Sequence, residues 1–406
     1  MATVTLLTAS AITREAIRLW KNSNSFLKVI PHQYDDQFAK SGAKIGTTLR
    51  VRLPNDYVVV TGATATAQDT VEQSTTLTVA TQKHIAVEFS SLDRTMSLDD
   101  FSDRVLAPML NNLAGDVALT VMSGIESGAS NFVSLLSSGA IISPTAETWL
   151  LGGAKLDENS VPRGSGRYAV MDPLTQARTV STLSGLFNSQ GAVGKQYETG
   201  EMMHALGFDW LMDQTVLKHS TDDYGGTMTV NGASQTGLAI TVNTGMTGGI
   251  AKGDIITFAG VYAVNRITKE STGALRQFVV TAAVAANATS IPIYPALIPL
   301  SSGDKVAFQT VVASPANGAA YAVVSATAEI YRKNFVFHKD AVTMVTADLV
   351  LPGGVHEVAR EQFDGVSMRF LSQYDSGTDK FMSRLDVLFG HLWIRPEWVC
   401  IVADKI

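Results

Sequence analysis

The sequence predicts an α+β protein in which one domain is interrupted by a small antiparallel β-barrel. Three observations support this prediction: alternating strand patterns near the N-terminus, one long amphipathic helix after them, and a change from mixed helix and strand signals to strand signals alone at about Asp222. From Gly225 to Ala320 the chain carries only strand and turn signals and is rich in Gly, Thr, Val and Ile. About six short strands with regular turns are typical of a small barrel. Mixed signals resume after Tyr331, so we expect the barrel to be inserted and not appended.

Composition restricts the class of protein. Of the 406 residues, 46% are apolar and 17% are charged, which suffices for a sizeable core and roughly two to three domains. The formal net charge of −6 argues against a dedicated nucleic-acid binder, which usually has a dense basic face. The single cysteine, Cys400, excludes a disulfide framework and a cysteine-based metal cluster and fits a reducing cytosol.

No export or membrane signal is found in the sequence. The first fourteen residues lack the pattern of a signal peptide. The most apolar segment, Val279 to Leu300, is interrupted by Asn287 and by prolines, which favours strands and turns over a membrane span. We therefore expect a soluble intracellular chain.

The N-terminal residues 11–38 begin with a helical pattern in which Thr13 resembles a helix start. Its apolar face comprises Ile12, Ala16, Leu19, Trp20 and Phe26, and its basic residues are Arg14, Arg18, Lys21 and Lys28. Two interpretations remain open: a solvated terminal helix, or an arm that docks on an acidic surface or a partner helix.

Residues 46–90 are predicted to form one very long hairpin. Leu49, Val51 and Leu53 alternate with polar residues, and Ile85, Val87 and Phe89 do the same on the expected return side. Between them, Thr61 to Thr76 contains Val71 as its only large apolar group. Ordering such a segment costs about 1–2 kcal/mol per residue in backbone entropy, so we expect it to be ordered only on another subunit.

The best helix signal covers residues 97–131. Asp99 and Asp100 lie at its start, and Pro108 marks a kink or the true first turn. Apolar residues recur every fourth position at Val105, Met109, Leu113, Val117, Val121 and Ile125.

Strand and helix signals then alternate up to residue 220. We expect a strand at Tyr168–Met171, a helix capped by Asp172-Pro173 and running through Leu186, and a helix after Gly200 that leads through Gly207 into a strand.

The barrel region contains two similar turns. Gly253-Asp254 and Gly303-Asp304 are each predicted to feed a strand, ending at Phe258 and Phe308 respectively. The chain then closes with predicted strands around Val342–Val345, Met368–Leu371, Arg384–Leu388 and Val399–Val402.

The sequence motifs that come nearest to known catalytic or cofactor-binding motifs are each incomplete. Gly194-Lys195 lacks the flanking glycine and hydroxyl residue of a phosphate loop, and the glycines around Gly164 precede their strand instead of following one. The seven histidines are scattered, so we expect no metal, no cofactor and no enzyme. An enzyme, a hydrolase for example, remains an alternative, and it would depend on His204, His219, Asp222 or Asp223.

The order of parts resembles the major capsid proteins of tailed bacteriophages, and within them the coat proteins of short-tailed phages that carry an inserted barrel. The resemblance covers essentially the whole chain. It rests on five segments: Gly245 through Val261 in the barrel, the helix around Leu113 to Val121, Gly207-Phe208-Asp209, Asn334 to Ala341, and Arg384-x-Asp386 with Gly390 and Arg395-Pro-Glu397.

The resemblance implies the Hong Kong phage capsid fold, with domains in a fixed order. They are an N-terminal arm (1–45), an extended loop (46–90), a peripheral domain with the spine helix (91–150), the first part of an axial domain (151–221), the inserted barrel (222–332) and closing axial and peripheral segments (333–406). The alternatives are a secreted or surface β-rich structural protein and a cellular encapsulating shell protein of the same fold.

The implied function is self-assembly into hexamers and pentamers of an icosahedral shell around double-stranded DNA, through a scaffold-dependent procapsid that matures later. The partners would be further copies of the chain, a separate scaffolding protein, a portal and an optional decoration protein, with non-specific contact to the packaged DNA and none to a membrane. Assembly would take place in the cytoplasm of a bacterial host. A separate scaffold is expected because the loop begins near residue 46 and leaves no room for a cleavable N-terminal scaffolding domain.

The sequence departs from the family in two places. Some relatives cross-link subunits through a lysine on the extended loop, but Val51 to Gln82 contains no lysine, so we expect no such cross-link. A longer charged hairpin of the family's barrel is replaced here by a short turn at Asn231 to Gly237. The candidate assembly contacts are Arg14, Arg18, Trp20, Lys21, Arg50, Arg52, Asp56 and Lys83, of which Arg50, Arg52 and Asp56 are the best candidates for ion pairs between subunits.

Overall fold

The computed structural model describes residues 9–35, 48–60, 62–63, 67, 72–90, 106–183, 204–301, 305–363, 365–377 and 380–406. The chain divides into two compact units. The first unit comprises Met1–Val51, Ser74–Val121 and Val342–Ile394, and the second comprises Arg52–Gln73, Met122–Ala341 and Arg395–Ile406. The expected helix start at Asp99, the Gly194-Lys195 pair and the Gly303-Asp304 turn lie outside the described residues.

Helices and strands are mixed throughout the described chain, as the α+β prediction requires. The helices are α1 (Ala9–Ser23), α2 (Ser25–Val29), α3 (Ala107–Ser123), α4 (Ile125–Gly128), α5 (Ala146–Glu158) and α6 (Pro173–Leu183). The strands up to the middle of the chain are β1 (His32–Asp35), β2 (Thr48–Arg52), β3 (Ser74–Thr78), β4 (Thr81–Ser90), β5 (Asn131–Val133), β6 (Leu135–Ser137), β7 (Ala140–Ile142), β8 (Arg167–Met171), β9 (His204–Ala205), β10 (Phe208–Met212), β11 (Lys218–Ser220) and β12 (Gly225–Gly226). The remaining strands are β13 (Gly237–Thr241), β14 (Met246–Thr247), β15 (Ile255–Val264), β16 (Ser271–Val280), β17 (Ser290–Leu297), β18 (Tyr321–Val323), β19 (Ile330–His338), β20 (Val342–Ala347), β21 (Glu357–Phe363), β22 (Val366–Asp375), β23 (Lys380–Trp393) and β24 (Val399–Lys405).

The first unit is built on a sheet in the order β1-β20-β23-β22-β21, with β4 also paired to β23. Helix α1 packs on β21 and β22 and buries the predicted apolar face, including Ile12, Ala16 and Trp20. Its predicted start was wrong: Thr13 lies inside the helix, and its hydroxyl donates to the Ala9 carbonyl at 2.7 Å. A threonine can satisfy its hydroxyl on the preceding turn, so it does not mark a helix start by itself.

The spine helix α3 is confirmed from Ala107 to Ser123, but its predicted end at residue 131 was wrong: α4 is a separate short helix, and Asn131 begins strand β5. Pro108 is the second residue of α3, where the missing N–H costs nothing, so it marks the first turn and not a kink. The predicted stripe is buried at Met109, Leu113, Val117 and Val121, and Ile125 continues it in α4. The indole N–H of Trp393, on β23, donates to the Val121 carbonyl at 2.9 Å.

The long hairpin is real but shorter than predicted. Strand β2 pairs with β3, and the Leu53 N–H donates to the Gln73 carbonyl at 2.9 Å. The expected return strand, which contains Ile85 and Val87, is β4, and it pairs antiparallel with β23 instead. Period-two alternation shows which face of a strand is buried but not which strand is its partner.

The second unit contains a sheet in the order β5-β24-β19-β8-β10-β9, with β11 paired to β19. Strand β8 and the start of helix α6 are as predicted, and the Asp172 carboxylate accepts the Leu174 N–H at 3.1 Å to cap the helix. The predicted helix end at Leu186 lies outside the described residues. The helix predicted after Gly200 was wrong at His204–Ala205, which form strand β9. Leu206 and Gly207, with φ of 55° and 83°, make the tight turn that folds β9 back onto β10.

The segment between Asp222 and Glu329 contains strands and turns, as predicted. Its main sheet is antiparallel, in the order β13-β17-β16-β15-β18, and encloses an apolar cluster that includes Phe258 and Phe278. The Gly253-Asp254 turn feeds β15 as expected. The second repeat was wrong: Val306 to Phe308 form a turn, in which Phe308 has a φ of 55°. The boundaries of the inserted barrel and its closure stay predictions.

Candidate assembly contacts

The two described basic side chains of α1 contact acidic groups of the same chain. Arg14 Nε lies 3.4 Å from Glu361 Oε2, and Arg18 Nε donates to Glu15 Oε2 at 2.9 Å. Trp20 is 1% exposed and belongs to the core under the helix. The Lys21 side chain lies outside the described residues. Both arginines are well exposed, so each pair contributes only about 0–1 kcal/mol, and a role between subunits stays a prediction.

The hairpin arginines make contacts across the hairpin. Arg50 Nε donates to Ser74 Oγ at 2.8 Å, and Arg52 Nη1 lies 3.8 Å from Glu72 Oε2. Lys83, at the base of the predicted loop, pairs with Asp116 of α3 at 2.8 Å. These contacts join neighbouring parts of one chain, and no described contact tests whether they also form between subunits.

Asp56 is the best-buried of the ionic candidates whose side chains the structure describes. Its Oδ2 lies 3.4 Å from Arg266 Nε and 3.4 Å from Lys269 Nζ, and Arg266 Nη1 lies 3.1 Å from Glu397 Oε1. The Lys269 side chain is 2% exposed, so its charge depends on Asp56 for compensation. The sequence identified Asp56 as a candidate for an ion pair, but its partners are residues more than two hundred positions later in the same chain.

The second unit contains a buried polar cluster of His219, Asp254, Lys333 and the Gly253 carbonyl, which we call the junction cluster. His219 Nε2 lies 2.7 Å from Asp254 Oδ1, and Asp254 Oδ2 accepts the Ala251 N–H at 2.8 Å. Lys333 Nζ donates to the Gly253 carbonyl at 3.1 Å. The cluster therefore joins strands β11 and β19 to the turn that begins β15.

Burial controls the charges in the junction cluster. It lowers the pKa of His219, against the opposing effect of Asp254, so the imidazole is neutral at pH 7. Burial also lowers the pKa of Lys333 to about 8, although Glu126 and Asp254 favour its charged form. A carbon atom added at Gly253 would lie 2.8 Å from Lys333 Nζ, so only glycine leaves room for the ammonium group. The sequence predicted the Gly253-Asp254 turn but not its buried partners.

A second buried carboxylate lies in the first unit. Asp386 is fully buried and accepts from Arg369 Nη2 at 2.8 Å, from Arg384 Nε at 2.7 Å and from Gln82 Nε2 at 3.2 Å. It thereby ties β23 to β22 and β4. The Arg384-x-Asp386 motif identified in the sequence is thus an ion pair inside the sheet.

The residues on which an enzyme would depend do not converge. His204 pairs with Asp209 on the exposed β9–β10 turn at 2.7 Å, and His219 belongs to the junction cluster. Asp222 accepts the Asp223 N–H at 2.8 Å, which is a local turn contact. The described residues contain no group of histidine, cysteine and acidic side chains that could hold a metal ion. Among the described helices, none is long and apolar enough to cross a membrane.

The chain also matches a known family. A family model described as P22 coat protein, gene protein 5, matches residues 60–402. The chain belongs to the P22 coat protein family. It is therefore a bacteriophage coat protein, a major capsid protein of an icosahedral shell, and its place is the virion. This confirms the predicted capsid fold and the predicted capsid function.

Several solved structures are similar to the coat protein. A Mycobacterium phage Che8 structure is 10% identical, with 93% of this chain and 90% of that chain covered and a TM-score of 0.45. The capsid structure of cyanophage P-SCSP1u is 12% identical, with 92% and 86% covered and a TM-score of 0.45. The CUS-3 coat protein I-domain is 28% identical, with 24% of this chain and 96% of that chain covered and a TM-score of 0.20. A search of curated proteins finds no match.

Proposed function

We propose that the coat protein assembles as hexamers and pentamers that close around double-stranded DNA, on a separate scaffolding protein and together with a portal, in the cytoplasm of a bacterial host. The observation that supports this is the family match over residues 60–402, which includes the spine helix α3 and most strands of the two large sheets. The resemblance drawn from the order of the parts implies the same assembly.

We infer that the shell forms without a covalent cross-link. Val51 to Gln82 contains no lysine that could form an isopeptide bond. Lys83, the first lysine after this stretch, is held by Asp116 at 2.8 Å. Ion pairs and apolar contacts would then have to stabilise the shell alone.

We also infer that the coat protein is not an enzyme and that it touches DNA only weakly. Its buried polar groups, such as His219 and Asp254, are engaged with one another, as in a structural core. The arginines of α1 with described side chains, Arg14 and Arg18, are paired with glutamates, and the net charge is −6. Strong phosphate binding requires several free basic groups along a face.

Electron microscopy with sedimentation, with and without a candidate scaffolding protein, tests the assembly. We expect closed shells that become uniform when scaffold is present, and we expect them to dissolve in hot detergent into single chains of 43.3 kDa. A chain that stays monomeric or dimeric at high concentration under both conditions would refute the assembly. A ladder of covalent multimers on a denaturing gel would refute only the absence of cross-links.

A further inference from the structure

Arg276, on β16, differs from the other described arginines. Its Nε is buried and has no hydrogen-bond partner among the described residues, although the residue as a whole is only half-buried. The other described arginine side chains each have an oxygen partner, except Arg395, whose guanidinium lies 4.2 Å from the centre of the Trp398 ring. An unpaired buried charge is costly, so this arginine needs an explanation.

Arg276 lines a small, partly open cleft. The cleft lies between the end of α5 and the β15–β16 hairpin, and its lining also includes Asn131, Lys155, Glu158, Asn159 and Gln277. Lys155 Nζ holds Glu158 Oε2 at 2.9 Å, so these two charges cancel. Arg276 therefore leaves one positive charge in the lining uncompensated.

The amides of the cleft are already engaged. Asn131 donates to the carbonyls of Glu397 and Val399, and Asn159 donates to the Lys155 carbonyl. The side-chain amide of Gln277 makes hydrogen bonds at 2.9 Å to both backbone groups of Phe132. These contacts fix the walls of the cleft without supplying an acceptor to the arginine.

A carboxylate is the ligand that fits this arrangement. Burial lowers the pKa of Arg276, and Tyr294, Glu397 and Glu158 oppose that effect through charge alone, without a hydrogen bond to the guanidinium. A guanidinium presents parallel N–H donors that match the two oxygens of a carboxylate. One carboxylate would supply both the missing charge and the missing acceptors.

We propose that this cleft binds a carboxylate and that, in the shell, an aspartate or glutamate of a neighbouring copy of the chain occupies it. The inference rests on the assembly of copies into a shell. The chain contains 37 acidic side chains, and the exposed ones, unlike buried Asp254 and Asp386, are available to a neighbouring copy. A DNA backbone fits less well, because its binding needs a row of free cations, whereas Lys155 is already neutralised by Glu158.

Electron cryomicroscopy of assembled shells tests the ligand directly. We expect a carboxylate of a second copy at roughly 2.7–3.2 Å from the Arg276 guanidinium. The proposal is overturned if Glu158 of the same chain turns away from Lys155 to bind Arg276, if the site holds only water, or if it holds a DNA phosphate.

Arg276→Gln gives an independent test when assembly and subunit stability are measured together. We expect this variant to need about a tenfold higher subunit concentration to assemble, while its free subunit unfolds no earlier than the wild type. Arg276→Lys should recover part of the assembly. Arg163→Gln is the matched control, because Arg163 is an exposed arginine paired with Asp157 outside this cleft.

The outcomes separate this inference from the proposed function. If Arg276→Gln assembles like the wild type, or if its free subunit is destabilised as much as its shell, the carboxylate site is wrong and the shell remains. If the wild type forms no shells, the proposed assembly itself fails.

Discussion

His219 Nε2 lies 2.7 Å from Asp254 Oδ1, although 35 residues separate the two along the chain. The side chains are 4% and 0% exposed. The same contact occurs at 2.7 Å between His204 and Asp209, whose side chains are 70% and 44% exposed. The protein therefore contains a histidine–aspartate contact in a buried and in an exposed position, and the exposed pair can serve as the control for the buried pair.

Asp254→Asn should lower the free energy of unfolding by about 2–4 kcal/mol. An amide can accept at only one of the two positions where Asp254 now accepts, from His219 and from the Ala251 N–H, and it removes the charge that offsets buried Lys333. Asp209→Asn, the exposed control, should change stability by less than about 0.5 kcal/mol. Urea denaturation of the unassembled subunit measures both; equal effects would contradict the structural role of the junction cluster.

Stability should fall when the pH is lowered below 6.5. Burial lowers the pKa values of His219, His338 and His391 beneath the ordinary 6.5, so the unfolded chain takes up protons before the folded chain does. Their stabilising effect is complete above pH 6.5 and is lost as the pH falls through the folded pKa values. The groups that act on His219 are Asp254, Lys333 and Glu126.

The slope of the unfolding free energy between pH 7.5 and roughly pH 5 measures this effect. His219→Gln should flatten the slope. An equal slope in this variant and in the wild type would contradict the lowered pKa of His219.

Gly390→Ala should destabilise the first unit by about 2–3 kcal/mol. A methyl group at Gly390, on β23, would lie 2.3 Å from the Thr78 carbonyl oxygen and 3.0 Å from Val79 Cα, so the backbone would have to move. Gly353→Ala is the control, since nothing lies within 4 Å of a carbon added there. Thermal unfolding of the two variants compares them, and similar midpoints would refute the close approach of the chains at Gly390.

Cys400 should resist alkylation in the folded protein. It is fully buried on β24, and burial raises the pKa of its thiol to about 12, so little thiolate forms at pH 8. The chain contains no other cysteine, so mass spectrometry after iodoacetamide treatment reports this site alone. We expect one label per chain in about 8 M urea, which unfolds most small domains, and almost no label in the absence of urea. Rapid labelling of the native chain would mean that β24 opens easily.

Local pattern predicted the elements better than their partners. The stripe through Leu113 and Val117 identified α3 because a helix that packs on one side must bury every third or fourth residue. Alternation at Ile85 and Val87 found β4 but assigned it to the wrong partner, because its partner strand β23 lies nearly three hundred residues later. The two Gly-Asp repeats look alike in sequence, yet only the first leads into a strand.

The polar sites depend on contacts that sequence patterns do not show. Asp254 was identified only as a turn residue, because its partner His219 and its neighbour Lys333 are 35 and 79 positions away in opposite directions. The sequence did not identify Arg276 as a candidate binding residue, since the side chain of an arginine in an alternating strand is ordinarily exposed to solvent. Its significance depends on which acceptors are missing around it, and that is known only once the chain is folded.

The segment between β11 and β19 leaves and re-enters the large sheet at one point. Ser220 is paired with Ile330 and His219 with Tyr331, and the Thr221 N–H donates to the Glu329 carbonyl at 2.9 Å. In evolution such a segment could be exchanged for another, or reduced to a tight turn, without shifting the register of either strand. The exchange has one chemical condition: the incoming segment must bring its own acid to where Asp254 lies, or His219 and Lys333 must change with it.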